Sequence, residues 1–486
     1  MMKQYVYIVS FFLLLGLVAC HNLEKPVEME ELPPIYPDYT NITIPYNIAP
    51  LNFLLCNNPD VVEVRLKGVS KELLIRDSYK VQFAEKIWRD MLWMEKGNTI
   101  SVRIKVRVEG EWITYAPFKW KVAAEGIDPY LSYRLIEPGY EVWNAIQLRE
   151  RSLESFSERV IADNNLTERS CMNCHIYGKQ NPDLSLFHLR GEKGGTILNR
   201  NGNLRKLNTK AGDMVSAAVY GDIHPSGRFG VFSTNRIIPE FHSYKSERLE
   251  VYDSESDIVI LDFDENKVIP FPKGDAADKP FRSFPVFSAG GDAVYYCEAP
   301  YKALPDSIRD LMYSLHRIGF DPGSRSFGNQ VDTLFQAAEN GKSVCHPKVS
   351  PNGRYLLYTV ANYGTFPIWH RETDLQMMDL YTGEVDSLHL VNADYSDSYH
   401  SWSSNSRWFV FASKRDNGIY GKPYFSYIDS LGVPQKPFVL PQSDPAWYDY
   451  TLKSFNIPEL STGKVPFTAK DIEDIYHKKE AELFSY

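Results

Sequence analysis

Between residues 41 and about 125, apolar and polar positions alternate. VVEVRLKG, TISVRIKVRV and WITYAPFKWKVA each place an apolar side chain at every second residue and are rich in β-branched and aromatic types. That period marks strands with one buried face. Several short strands in so short a span predict a small β-sandwich of immunoglobulin or fibronectin type over 41–125. SYKVQFAEKIWRDMLW interrupts the alternation and predicts a helical turn. No catalytic cluster falls here, so a spacer or docking module is expected.

The pattern then changes. Val142, Ala145, Ile146, Leu148, Leu153, Phe156, Val160 and Ile161 approximate helical spacing, with Arg and Glu filling the other face. This predicts a helix over 140–161 inside a short helical connector spanning 126–182. Beyond it a unit recurs: IHPSGRFGVFSTN, FPVFSAGGDAVYYCEA, HPKVSPNGRYLLYTVAN and HSWSSNSRWFVFASKRD. Aligned, His224, Ser288, Ser350 and Ser403 share one position, each followed by a tight turn and an apolar strand. Further strand pairs such as VYDSESDIVILDFDENKVIPF follow the anchors. Four strands per unit, radially repeated, predict a β-propeller over 183–465, with 466–486 as a C-terminal helical tail. LSLFHLRG, GTILNRNGNLRKLN and YDYTLKSFNIPEL are expected to supply a closing blade from both ends, for five or six blades. The expected class is therefore mainly β: sandwich, helical connector, propeller.

Length and composition fit this reading. A chain of 486 residues exceeds one ordinary core. Its net charge of −9 argues against nucleic acid as a partner. Residues 1–20 carry Lys3 as the lone charge, then an apolar run from Tyr5 to Val18, the pattern of a signal peptide. Leu17-Val18-Ala19-Cys20 resembles the bacterial lipobox, which implies lipidation of Cys20 and a membrane anchor without a spanning helix. The alternative is an ordinary secretory signal. Residues 21–40, rich in Pro and Glu, are expected to be a flexible tether. Export would place Cys56, Cys171, Cys174, Cys297 and Cys345 in an oxidising compartment. Five is odd, so Cys297 and Cys345 are candidates to pair, with Cys56 buried and free.

SCMNCH at 170–175 holds the candidate chemistry. Two thiols three positions apart, with an imidazole beside the second, are the residues needed to add across two haem vinyl groups and reach the iron. Covalent haem c at Cys171, Cys174 and His175 is the first reading. A structural zinc wants a second ligand pair, a thioredoxin-like redox pair wants a βαβ context, and a disulfide between Cys171 and Cys174 is sterically tight. By resemblance to c-type cytochromes, His175 is the proximal ligand of the haem iron. Met172 is badly placed as a distal ligand. His188 is close in sequence and is the distal candidate, while Met214, His224, His346 and His400 lie in the propeller.

The repeats resemble the TolB-like periplasmic propeller, HPKVSPNGRYLLYT best of all. Ser288-Ala289-Gly290-Gly291 lacks the proline of that pattern, and Asn405-Ser406 lacks its glycine. The whole chain is similar to uncharacterised Gram-negative lipoproteins with a sandwich, a Cys-x-x-Cys-His connector and a TolB-like propeller. The matching stretches are IPYNIAPLNF, IDPYLSYRLIEPGYEVW, CMNCH, YHSWSSNSRWFVFASKR and KSFNIPEL. That resemblance implies architecture more than activity.

Other clusters are weaker. Asp374, Asp379, Glu384 and Asp386 read as blade surface, Asp394, Asp397 and His400 as a solvated loop, and Trp402 with Ile368-Trp369-His370 as core aromatics. No Ser-His-Asp elbow, HExxH or phosphate loop is present. The expectation is a lipid-anchored protein on the periplasmic side or outer membrane that carries haem c and meets an envelope protein partner on the propeller face for electron transfer or redox sensing. The alternatives are a haem-free TolB-like scaffold and an enzyme using the haem or the propeller rim.

Overall fold

The N-terminal alternation builds a seven-stranded sheet. Its long central strand, Thr99–Val108, pairs antiparallel with Val61–Lys67, Glu111–Thr114 and Phe118–Ala123. Every second side chain, from Ile100 through Val106, is fully buried. Helix α1 (Glu85–Met94) buries Trp88, Met91 and Leu92, and Trp88 meets Trp120 edge-on at 5.5 Å. In this computed structural model the described residues are 26–137, 145–241, 249–272 and 279–486, without the side chain of Cys174. The signal segment and Cys20 lie outside them.

Residues 26–40 are not a flexible tether. Val27–Glu28 pairs in parallel with Glu111–Thr114, and Ile35 and Tyr39 are buried. Apolar side chains spaced among the prolines anchor this stretch to the sheet, which composition alone concealed.

The remaining chain forms six sheets of four or five strands. We label their first strands β1 (Met172–Gly178), β2 (Ala218–Ile223), β3 (Phe281–Phe287), β4 (Ser343–Val349), β5 (Asp397–Trp402) and β6 (Ser454–Ser461). Each of these touches the next, and β6 returns to β1, so the first strands make a closed cycle. The fold is mainly β with propeller-type sheets.

The predicted helix is absent. Residues 140–144 lie outside the description, while Ile146–Ser152 and Glu158–Asp163 are strands. With Tyr130–Ile136 they join β6 in one sheet. Two of the charged residues that suggested a wet helix face, Glu150 and Arg151, are buried here instead. Glu150 is 2% exposed and takes Arg159 Nε at 2.7 Å, and Arg151 spends its guanidinium on the carbonyls of Ser152, Phe156 and Pro441. A sheet is thus closed by both ends of the chain, but with partners other than those expected. LSLFHLRG and GTILNRNGNLRKLN belong instead to the sheet that β1 begins. Helix α2 (Ala469–Lys478) begins with a capping box at Thr468 and Asp471.

The two parts of the chain share a seam. The Asp128 carboxylate accepts from the Ser404 amide at 2.8 Å, and Trp408 Nε1 donates to the Glu125 carbonyl at 3.2 Å.

Candidate functional site

All six first strands carry a bulge at the same level. Pairing slips by one residue between Asn173 and Ile176, Val219 and Gly221, Ser283 and Val286, Cys345 and Lys348, and Ser398 and Ser401. In β6 the slip falls opposite Ser132 and Arg134. Five of these bulges hold a non-glycine residue at left-handed φ: Tyr220 at 38°, Phe284 at 52°, His346 at 51°, Tyr399 at 48° and Ile457 at 53°. Such conformations cost about 1–3 kcal/mol each and persist only where the surroundings impose them. Cys174 occupies the same register position in β1. The CMNCH motif is therefore not on a connector between domains; it lies on a first strand, at a bulge that re-aims the chain.

The five left-handed residues line a cavity of about 60 Å³ on the axis of the cycle. Tyr220, Phe284 and Phe366 pack ring against ring at 5.1–6.0 Å, with Ile237, Val251 and Trp369 in the same cluster. The hairpin of Phe229–Phe241 and Leu249–Asp262 reaches over this point, held by Glu250 to Tyr363 Oη at 2.7 Å and to His370 Nε2 at 3.0 Å. Elsewhere in the cavity wall, Lys348 Nζ stands 3.5 Å from Glu459, whose carboxyl burial pushes up.

Three buried histidines gather around this level. His175 is 4% exposed, and neither ring nitrogen has a hydrogen-bond partner; the Ser132 backbone lies close without meeting bonding geometry. Burial lowers its pKa to about 4, so the imidazole is neutral at pH 7. Both nitrogens of His346 are likewise unpartnered, while His400 Nε2 faces the Leu357 carbonyl at 2.9 Å. No group of three His, Cys, Asp or Glu among the described residues is arranged to hold a metal ion.

The other sequence candidates scatter. Cys171 is partly buried at the edge of the cluster that contains Met172 and Tyr177. His188 pairs across from Asn173 and binds Thr196 Oγ1 at 3.1 Å; burial lowers its pKa to about 4. His224 holds a turn through Ser226 and the Gly291 carbonyl, and Met214 is buried with its sulfur on the Ala211 amide. Asp397 is buried against Arg415 rather than solvated, and its pKa is raised to about 6 by burial. Cys297 and Cys345 are both buried free thiols, and Cys56 is exposed. The sequence reading missed Tyr220, Phe284, Tyr399 and Ile457, although VYGDI, SFPVF, SYHSW and NIPEL could have been aligned a few residues before each turn.

For a haem, the donors fit better than the space. A neutral, buried, unpartnered imidazole next to a Cys-x-x-Cys pair is a suitable axial ligand. The axial cavity, about 60 Å³, has room for no more than a few water molecules, so a porphyrin entering it would have to displace the surrounding rings.

No known protein family matches the sequence, and no curated protein matches it. Several solved structures align with part of the chain at low similarity. A puromycin hydrolase S511A mutant aligns over 64% of this chain and 45% of its own, with 10% identity and a TM-score of 0.37. Oligogalacturonate lyase in complex with manganese aligns over 64% of this chain and 86% of its own, with 10% identity and a TM-score of 0.34. Prolyl oligopeptidase B from Galerina marginata aligns over 78% and 53%, with 10% identity and a TM-score of 0.36. The chain spans under half the length of the puromycin hydrolase.

Proposed function

We propose that this chain is a lipid-anchored protein of the cell envelope in which an immunoglobulin- or fibronectin-like sandwich carries a six-bladed, TolB-like propeller, and that β1 attaches one haem c. Its role is electron transfer or redox sensing with an envelope protein docked on the propeller face. The observation that carries the reading is His175: a fully enclosed imidazole, kept neutral by burial, with both nitrogens unused, directly after Cys174 at a backbone bulge. Cys171 and Cys174 would hold the group through thioethers and His175 would meet the iron. When bound, haem supplies one-electron chemistry. The chain's own part is to keep that imidazole unprotonated and oriented: Arg134 ties β1 to the neighbouring strand by donating to the Met172 carbonyl at 3.1 Å, and its positive charge further disfavours protonation of His175.

The test is an absorption spectrum of protein exported in a host with haem-attachment machinery, followed by haem staining of a denaturing gel. A Soret band and a stain that survives denaturation, both lost in Cys171→Ala and Cys174→Ala, is the expected result. Well-folded protein with both cysteines and no stain overturns it.

A second reading has its own observation. The axial cavity is about 60 Å³ and ringed by packed aromatics, which suits a haem-free interaction scaffold in which CMNCH is one more copy of the strand repeat. The same gel separates the two.

A further inference from the structure

Away from the axis, a cleft of about 850 Å³ opens between the turn that joins Asn181–Leu189 to Gly195–Arg200, the strand Asn203–Asn208 and the end of α2. That volume lies within the range of organic-ligand pockets, ~300–1,000 Å³. Its lining holds five Lys or Arg side chains against two Glu, in a chain whose net charge is −9. The lysine Lys206 is only 5% exposed. Its ammonium donates to the carbonyls of Tyr476 at 3.0 Å and Lys479 at 3.1 Å, capping the last turn of α2. Among the described residues no carboxylate pairs with it, and the charge that acts on it is a second cation, Lys193. Lys193 is held by Glu168, whereas Arg190, exposed on the same glycine-rich turn, has no ion pair among the described residues. Farther along the cleft, Asn235 is 6% exposed. Its amide nitrogen is spent on Asp253 and Ser283, and its Oδ1 is buried without a donor.

These observations specify a ligand. A buried ammonium without a counterion, in a cleft that an unpaired guanidinium also lines, calls for an anionic group. An orphaned amide oxygen calls for a hydroxyl or amine that donates to it. The glycines at 191, 194 and 195 let a ligand come close to the backbone of the turn. We propose that this cleft binds a hydroxylated organic anion, a sugar acid or a sugar phosphate, with its carboxylate or phosphate between Arg190 and Lys206 and a hydroxyl on Asn235 Oδ1. The site is independent of any group on β1.

Calorimetric titration of the full exported protein at physiological salt tests this, using galacturonate, glucose 6-phosphate and inorganic phosphate in turn. One of the two sugars should saturate a single site, and Arg190→Gln should weaken it about tenfold, the loss of one charge-assisted contact, with the unfolding midpoint unchanged. Saturation by galacturonate assigns a carboxylate ligand, and saturation by glucose 6-phosphate a phosphorylated one. Lys206 also caps α2, so Lys206→Met would mix lost binding with lost stability; the exposed Arg190 is the decisive position. Inorganic phosphate binding as tightly as either sugar would reduce the cleft to an unspecific anion site and overturn the proposal. So would the absence of saturation by about 10 mM for both sugars, or binding untouched by Arg190→Gln.

Discussion

Replacing Asp253 with Asn should stabilise the protein, and more so as pH rises. The carboxyl is fully buried on the strand Leu249–Asp262. Its Oδ2 accepts from Asn235 Nδ2 at 2.6 Å, its Oδ1 has no partner, and no cation pairs with it among the described residues. Burial raises its pKa from 3.8 to about 7. Between these values the native state holds a proton that the unfolded chain has released, so stability is fully present below pH 3.8 and is lost as pH rises towards 7. Ionising the group in that environment costs at most about 4 kcal/mol, and relaxation around it should leave about 2 kcal/mol to be recovered at pH 8. Asn keeps the shape, carries no charge and still offers an oxygen to Asn235. Urea unfolding followed by tryptophan fluorescence, at pH 4.5 and pH 8, gives both free energies. The gap between the parent and Asp253→Asn should be small, about 1 kcal/mol or less, at the lower pH and wider at the higher one. Parallel stabilities across the range, or a less stable Asn variant at pH 8, would refute the reasoning.

Two further substitutions probe the sheet cycle. In Gly221→Ala the new Cβ would stand 2.0 Å from the Val231 carbonyl oxygen, a backbone atom that cannot yield locally. A loss of about 4 kcal/mol or more is expected, read as a lower urea midpoint or as failure to accumulate soluble protein. Glu150→Ala removes the partner of Arg159 and of the Val465 amide, both at 2.7 Å, where the two ends of the chain meet. It should cost about 3 kcal/mol by urea melt, with Glu150→Gln restoring part of the loss through the amide contact.

What the sequence showed and what it hid follow from the same physics. The N-terminal strands were legible because one face is buried and the other wet, which leaves a period of two in the residue types, whereas the strands after the turns, such as Tyr355–Ala361 and Trp408–Ser413, were legible as short apolar runs because both of their faces are buried. The turns were legible because Gly227, Gly291 and Gly353 take left-handed φ of 73–84° there, and Ser406 takes 58°. The segment 145–163 was misread because burial there is not apolar. Glu150 and Arg151 are interior residues paired by an ion contact and carbonyls, and charged letters in a sequence do not reveal that. Residues 26–40 were misread for the opposite reason: a few anchors, Ile35 and Tyr39 among them, outweigh a composition typical of disorder. The level of the bulges was visible in principle, yet it lies upstream of the conspicuous turns, and its residue types differ from strand to strand.

The bulge register also places the motif. Counting back from each turn, NCHIYGKQN occupies the register of VYGDIHPSG, SFPVFSAGG and CHPKVSPNG. The motif is thus a sixth copy of the first-strand repeat, with cysteine where Tyr220, Phe284, His346, Tyr399 and Ile457 stand in the others. Backbone geometry needs no thiol at this position, since four other side-chain types satisfy it. Cys174→Tyr should therefore leave the unfolding free energy within about 1 kcal/mol of the parent. If the thiol anchors haem, the same variant should lose the denaturation-resistant stain. A collapse of the fold would show that the sixth position is not interchangeable with the other five. A folded variant with its stain intact would show that Cys174 does not carry the haem, and a cysteine in that register would then need another reason.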